Sequence, residues 1–226
     1  MDFKAKRSER IFEAQELLSE LQAQQLEEIT PYQKDGKRRP LIIWKADGLV
    51  YAALARLIDL GHIAVELWGR ESFAAAFLVG RAMMETTACL HSFAEGLKSR
   101  MDSGCKYEEL DEFIMRHCFG SRTMSHFPQA FSVLTHIDRL DKLIPGFRCI
   151  YDQLSEVCHP NYPGNLGAYS DVDKAYVIRI KQSDESIGFM DSHLPIAING
   201  SLELMQIVFT NYDVAREILF CANDTD

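Results

Sequence analysis

The residues best placed for chemistry lie where a helix pattern meets the sequence His159-Pro160-Asn161. Apolar residues recur at helical spacing over 147–158, and proline cannot continue a helix, so we predict that this helix ends at His159. His159 then lies at the negative end of the helix dipole, where an imidazole can bind an anion or act as a general acid. The alternative is structural, with His159 capping the last carbonyls while Asn161 and Gly164 form the turn.

A second polar feature is a charged pair inside an otherwise apolar helical segment. Arg81 and Glu85 are separated by one helical turn, and burying such a pair is costly unless both partners are satisfied. One interpretation is an internal ion pair that fixes helix packing. The other is a pocket in which Arg81 faces His159 and holds a phosphate or carboxylate, so that these two residues are catalytic. The residues that bind the substrate are then Tyr151, Ser155, Asn161 and Glu85.

The other histidines give weaker signals. Arg56 and His62 have five residues between them, a spacing found in a nuclease motif, but about one such pair is expected by chance in a chain of this composition. We expect the remaining histidines to be surface residues or satisfied core residues. These are His91, His117, His126, His136 and His193.

The cysteines indicate free thiols rather than a metal site. The six cysteines are scattered and form no C-x-x-C pair, which is typical of a reducing cytoplasm. Cys149, Cys158 and His159 come nearest to a zinc ligand set, but their spacing does not match one. We therefore predict no metal and no cofactor, and no phosphate-binding or hydrolase motif is visible.

Charge and hydropathy limit the class of protein. The net charge of −9 argues against binding double-stranded DNA, which requires neutralisation of phosphates by lysine and arginine. The chain has no signal-peptide pattern and no uncharged apolar stretch long enough to cross a membrane, so we expect a soluble cytoplasmic protein. The densest basic cluster is more consistent with a solvated loop; it comprises Lys34, Lys37, Arg38 and Arg39.

The hydrophobic periodicity predicts an all-α helical bundle in a single domain, 1–226. The first helix, 3–29, has an apolar stripe that makes it the best candidate for a homodimer interface.

The segment around Leu41-Ile42-Ile43-Trp44 could be a short strand or a packing plug. The helical core covers 48–170, with breaks near Gly61 and Gly69 and its central buried helix between Glu71 and Lys98. Two further helices are expected over 106–119 and 132–144, before the helix at 147–158. A small β-hairpin at about 174–190, with 174–181 pairing with 186–190, precedes a final helix at about 194–220.

Two segments together resemble an uncharacterised family of bacterial helical proteins. The sequence Tyr151-x-x-Leu154-Ser155-x-x-x-His159-Pro160 is similar to that family's signature, and Arg81-x-x-x-Glu85 is similar to its Arg-x-x-x-Glu helix. The family is distantly HEPN-like, and HEPN proteins are helical bundles that often dimerise. Many of them are metal-independent endoribonucleases in defence systems, with an Arg and a His four to six residues apart. His159 lacks an arginine at that distance.

The resemblance implies a protein that binds or cleaves RNA or a nucleotide, in defence or in a stress response. Arg81 would then supply the missing arginine and stabilise the anion, while His159 moves protons. The alternative is a non-catalytic module for protein interaction, or a purely structural helical module, in which the same residues hold the loop after the helix. The acidic net charge favours this alternative modestly.

Overall fold

The computed structural model describes residues 3–31, 40–173 and 176–223, and the basic cluster from Lys34 to Arg39 lies outside them. The described part is an all-α bundle with one small hairpin before the last helix, as the sequence predicts. The helices are α1 Phe3–Ala23, α2 Leu41–Gly69, α3 Phe73–Asp102, α4 Tyr107–Phe119, α5 Val133–Asp141, α6 Phe147–Cys158, α7 Leu166–Tyr169 and α8 Asp184–Asn223. The strands are β1 Ser170–Val172 and β2 Ile178–Ile180.

The centre of the bundle is α3, which packs against α2, α5, α6 and α8. Its residues Phe77, Met83 and Phe93 are fully buried, so the predicted central buried helix is confirmed. Gly80 lies close to Leu154 of α6 and Ala197 of α8. The two helices that carry most of the predicted site, α3 and α6, therefore meet beside α8.

The first part of α2 corrects the prediction of a strand or plug around 41–44. The helix starts directly after Pro40, and Ile42 and Ile43 enter the core as part of its first turn. Gly61 does not divide the helix either. A Cβ atom at Gly61 would lie 2.5 Å from Leu18 Cδ2, so this glycine allows α1 and α2 to pack closely.

The hairpin lies earlier in the chain than the sequence pattern suggested. β2 falls inside the predicted strand but pairs with β1, in the antiparallel register Ser170↔Ile180. The predicted partner, 186–190, is instead part of α8, which starts ten residues earlier than expected and continues through Pro195. The hydroxyl of Ser183 accepts a hydrogen bond from the Ser186 backbone N–H, so a side-chain cap starts the helix here.

The first helix is shorter than predicted and its stripe is used inside the chain. α1 ends at Ala23 rather than near 29. Ala14, Leu18 and Leu21 are fully buried, and α1 packs on α2 and α8. The homodimer stays a prediction, but the apolar stripe proposed as its interface is buried against α2 and α8 of the same chain.

Two helices are long and apolar enough to cross a membrane, namely α2 and α3. About half or less of their most apolar windows is buried in the bundle, at 39% and 50%. Core helices of soluble proteins meet the same criteria of length and composition, so this is weak evidence for membrane insertion.

Candidate functional site

Three of the predicted site residues form one hydrogen-bonded cluster between α3 and α6. Arg81 Nε donates to Glu85 Oε1 at 3.1 Å and to the Tyr151 hydroxyl at 3.3 Å. The Tyr151 hydroxyl donates to the same Glu85 oxygen at 2.8 Å, and the guanidinium of Arg81 lies over the Tyr151 ring. We call these three residues the Arg81 cluster.

The electrostatics of the Arg81 cluster keep its charges paired. Burial alone would lower the pKa of Arg81, but the Tyr151 hydroxyl and the Glu85 carboxylate raise it. Burial and then the hydrogen bond to Glu85 raise the pKa of Tyr151. Burial also raises the pKa of Cys158, which is close enough to feel both charges of the ion pair. The guanidinium is thus already engaged by a carboxylate, as the ion-pair interpretation requires.

The other predicted residues form the end of α6 and the loop that follows. Ser155 Oγ donates to the Tyr151 carbonyl at 2.8 Å within the helix. Asn161 Nδ2 donates to Glu156 Oε2, while Asn161 Oδ1 accepts from the Gly164 N–H at 3.2 Å. A Cβ atom at Gly164 would lie 2.0 Å from the His159 carbonyl oxygen, so only glycine allows the loop to fold back on the helix end.

His159 occupies the C-cap position of α6 with an exposed side chain. Its backbone is extended, with φ −87° and ψ 147°, as expected for a residue before proline. In the described part of the chain its imidazole makes no hydrogen bond or ion pair with the Arg81 cluster. Arg81 and His159 are also absent from the lining of a nearby cavity of about 680 Å³. Their meeting in one pocket stays a prediction.

This cavity is bordered by residues of the loop that follows α6, including Tyr162 and Pro163. Its volume is about 680 Å³, and it is enclosed by α6, the 162–172 segment, β2 and the first turns of α8. Tyr162, Val157 and Phe189 supply apolar walls, while Glu156, Asp171 and Glu185 supply carboxylates. Among the described lining residues there is no lysine or arginine.

The second predicted pair, Arg56 and His62, is on the outside of α2. Both side chains are exposed, and Arg56 Nε donates to the Thr86 hydroxyl at 3.2 Å. Residues six apart on a helix are separated by about 240° of rotation, so they point to different sides.

The hydrogen bonding of several histidines differs from what the sequence suggests. His117 and His136 each keep a buried ring nitrogen without a hydrogen-bond partner in the described part of the chain, so they are not the satisfied core histidines that we predicted. His193 Nε2 lies 2.8 Å from Gln153 Oε1 on α6, a contact that the sequence does not indicate. Among the described residues, no group of three or more His, Cys, Asp or Glu is arranged to hold a metal ion.

Comparison of the chain with protein-family models, curated proteins and solved structures finds no match. The class of protein therefore rests on the fold and the site described above, an all-α bundle with a cavity beside a loop and a hairpin.

We expect Tyr151→Phe to lower the free energy of unfolding by about 1 kcal/mol, because Glu85 loses a hydrogen-bond donor while Arg81 still neutralises it. Urea denaturation followed by circular dichroism measures this loss. Tyr107→Phe is the matched control, since that tyrosine is half exposed and lies outside the cluster. Equal stability changes in both variants would contradict a structural role for the hydroxyl.

Proposed function

We propose that this chain is a non-catalytic protein-interaction module. The supporting observation is a group of eight exposed apolar side chains, four of which also line a cavity with acidic walls. The partner that fits this surface is a segment of another protein in which basic and apolar side chains alternate.

The apolar part of this region, which we call the loop–hairpin surface, belongs to the segment 162–180. Large apolar side chains normally point inward, and single exceptions carry no information, whereas a local group of them is typical of a binding site. Here Tyr176 is 89% exposed, Ile180 80% and Tyr162 72%. The loop–hairpin surface consists of Tyr162, Leu166, Tyr169, Val172, Tyr176, Val177, Ile178 and Ile180.

The charge of the cavity favours a cationic partner group. Glu156, Asp171 and Glu185 line it, and the ammonium group of the exposed Lys181 lies 3.8 Å from the Asp171 carboxylate. Opposite charges across an interface increase the association rate and exclude wrong partners. A lysine or arginine of the partner can therefore enter between these carboxylates while its apolar neighbours cover the loop–hairpin surface.

The size of the site favours weak and reversible binding. The two strands of the hairpin have three residues each. They pair only with each other among the described residues, so each strand has one edge without a partner strand. A peptide can add to such an edge through backbone hydrogen bonds while alternate side chains fill the cavity. An interface of this extent is at the small end of specific protein contacts, where affinities are in the micromolar range.

The proposal predicts a charge-dependent peptide preference. The probes are two synthetic twelve-residue peptides, one with alternating leucine and lysine and one with glutamate in place of lysine. We expect the lysine peptide to bind at least about tenfold more tightly, because the cavity carboxylates repel the other peptide. Fluorescence anisotropy of labelled peptides measures both dissociation constants.

A charge-reversed protein separates the cavity from the overall negative charge. Glu156→Lys combined with Glu185→Lys should reverse the peptide preference. The matched control is Glu16→Lys combined with Glu112→Lys, which changes the net charge equally at exposed positions on α1 and α4. If the control variant reverses the preference as strongly, or if the wild type binds neither peptide, the proposed module is wrong.

RNA or nucleotide binding, with or without cleavage, is the second candidate function. It is favoured by the exposed imidazole of His159 beside Asn161, together with the HEPN-like sequence resemblance. Homodimerisation and a role in bacterial defence depend on the same resemblance. An acid or base of this kind contributes about 100-fold or more to a rate, so His159→Ala should abolish cleavage of labelled single-stranded RNA. His62→Ala tests the alternative pair, and absence of cleavage and binding by the wild type would eliminate this candidate.

A further inference from the structure

A second, smaller cavity of about 210 Å³ lies between α3, α4 and α5, away from the loop–hairpin surface. Its polar lining combines two imidazoles with two guanidiniums, from His117, His136, Arg116 and Arg122. Cys89, Phe131 and Val133 complete much of the wall. We call this space the imidazole–arginine cavity.

The hydrogen bonding of His117 fixes what its ring can offer to a ligand. His117 Nδ1 lies 2.9 Å from the Phe113 carbonyl oxygen, which can only accept, so Nδ1 carries the hydrogen. In the neutral ring the other nitrogen, Nε2, then has a lone pair. That Nε2 is buried and has no partner among the described residues, although buried polar groups are normally hydrogen-bonded.

His136 adds a second unsatisfied nitrogen to the same wall. The residue is 4% exposed, and its Nδ1 has no partner in the described chain. Burial is the main reason that the pKa of both imidazoles is about 4; the charges of Arg100 and Arg139 lower the pKa of His117 further, and those of His117 and Arg139 lower that of His136. Both rings are therefore neutral at pH 7 and can accept a hydrogen bond from a ligand.

The surroundings of these lone pairs are cationic. The Arg116 guanidinium stacks on Phe131 at 3.8 Å and donates from Nε to the Gln129 carbonyl, which leaves its outer nitrogens for a ligand. Arg122 is exposed at the rim. Helix α5 starts at Val133, so the positive end of its dipole borders the cavity. The carboxyl end of α4 also borders the cavity and contributes negative dipole charge, but the same turn carries the positively charged Arg116.

We propose that the imidazole–arginine cavity binds a phosphate group that retains an acidic hydrogen, either as inorganic phosphate or at the end of a small phosphomonoester. Arg116 and Arg122 hold the negative oxygens, since guanidinium matches phosphate geometry. The phosphate O–H donates to the lone pair of His117 Nε2, and His136 accepts or donates as its tautomer allows. A cation is disfavoured by the arginines, and an anion without a hydrogen leaves His117 unsatisfied.

The comparison of phosphate with sulfate is the direct test. The two ions have nearly the same size and shape, but at neutral pH phosphate keeps an O–H and sulfate does not. We expect inorganic phosphate to bind at least about tenfold more tightly than sulfate, because sulfate would leave a buried acceptor unpaired. Isothermal titration calorimetry of the full chain at pH 7 measures both ions. Glycerol 3-phosphate at pH 6 is the further arm, and tighter binding than inorganic phosphate identifies an ester as the natural form.

Two variants connect the binding to named residues. Arg122→Ala removes an exposed side chain, so it should leave folding intact and weaken phosphate binding about tenfold. His117→Phe replaces the imidazole by a ring that suits its aromatic neighbours, and it should abolish the preference for phosphate over sulfate. Arg70→Ala is the matched control, since Arg70 forms an exposed pair with Glu66 on α2.

Several results would overturn the proposal. These are equal affinity for phosphate and sulfate, no binding of either ion at millimolar concentration, and an Arg122→Ala variant that binds phosphate like the Arg70→Ala control. Tight binding of zinc ions that His117→Phe abolishes would also overturn it, because the cavity would then be a metal site.

Discussion

Asp47→Ala is expected to lower the free energy of unfolding by about 3–5 kcal/mol, the typical cost of breaking a buried ion pair from one side. Asp47 on α2 is completely buried. Its Oδ1 accepts from the Tyr212 hydroxyl at 2.7 Å and from Arg216 Nε at 2.7 Å, and both donors come from α8. The substitution leaves a half-buried guanidinium and a buried hydroxyl without their carboxylate, so it should loosen the contact between α2 and α8.

Chemical denaturation at pH 7 measures this loss, with Asp59→Ala as the matched control. Asp59 belongs to the same helix but is exposed, so its removal should change stability by less than about 0.5 kcal/mol. A double variant, Asp47→Leu with Arg216→Met, replaces the ion pair by apolar side chains and should recover much of the loss. If Asp47→Ala is as stable as the control, the pair between α2 and α8 does not contribute as described.

The parts of the fold that depend on local sequence could be predicted. Helix α6 ends at His159 because Pro160 follows it, and the Arg81–Glu85 pair forms because the two residues are one turn apart. The burial of α3 also follows from its composition. Each of these features is decided by residues that are close together in the chain.

The same local reasoning failed where two local signals compete. Residues 186–190 have the apolar character of a strand, yet Ser183 caps a helix and Asp184 and Glu185 favour its first turn. Helix capping and packing on α3 decide the outcome, and packing cannot be read from one segment. The strand pair shifted accordingly to 170–180.

Long-range partners outside the predicted site could not be read from the sequence. Arg7 binds Asp191 through two hydrogen bonds of 2.8 Å, and Trp68 Nε1 donates to the same carboxylate, although these residues come from three distant segments. The imidazole–arginine cavity likewise depends on how α3, α4 and α5 pack. The sequence contains the histidines, but only the tertiary structure leaves their nitrogens unsatisfied.

The two buried imidazoles should make the protein sensitive to mild acid. The pKa of His117 and of His136 is lowered from 6.5 to about 4, first by burial and then by nearby positive charges. Between pH 4 and pH 6.5 the unfolded chain binds more protons than the folded chain. The contribution of the neutral imidazoles to the free energy of unfolding is therefore fully present above about pH 6.5 and is lost as the pH decreases towards 4. A shift of one pKa unit corresponds to about 1.4 kcal/mol of stability. After allowance for the partial exposure of His117, the two histidines together should lower the free energy of unfolding by about 3–5 kcal/mol over this pH range.

The measurement is the free energy of unfolding at pH 7 and at pH 4.5 in a buffer without phosphate, for the wild type and for a variant with His117→Phe and His136→Phe. The variant should lose less stability than the wild type over this interval by about 2–4 kcal/mol, because phenylalanine binds no proton in either state. His62→Phe with His126→Phe is the matched control, since both side chains are exposed, and it should follow the wild type. Carboxylate protonation affects all three proteins alike, so the difference isolates the buried pair. Parallel pH dependence in all three would mean that His117 and His136 are protonated in the folded protein as readily as in the unfolded chain.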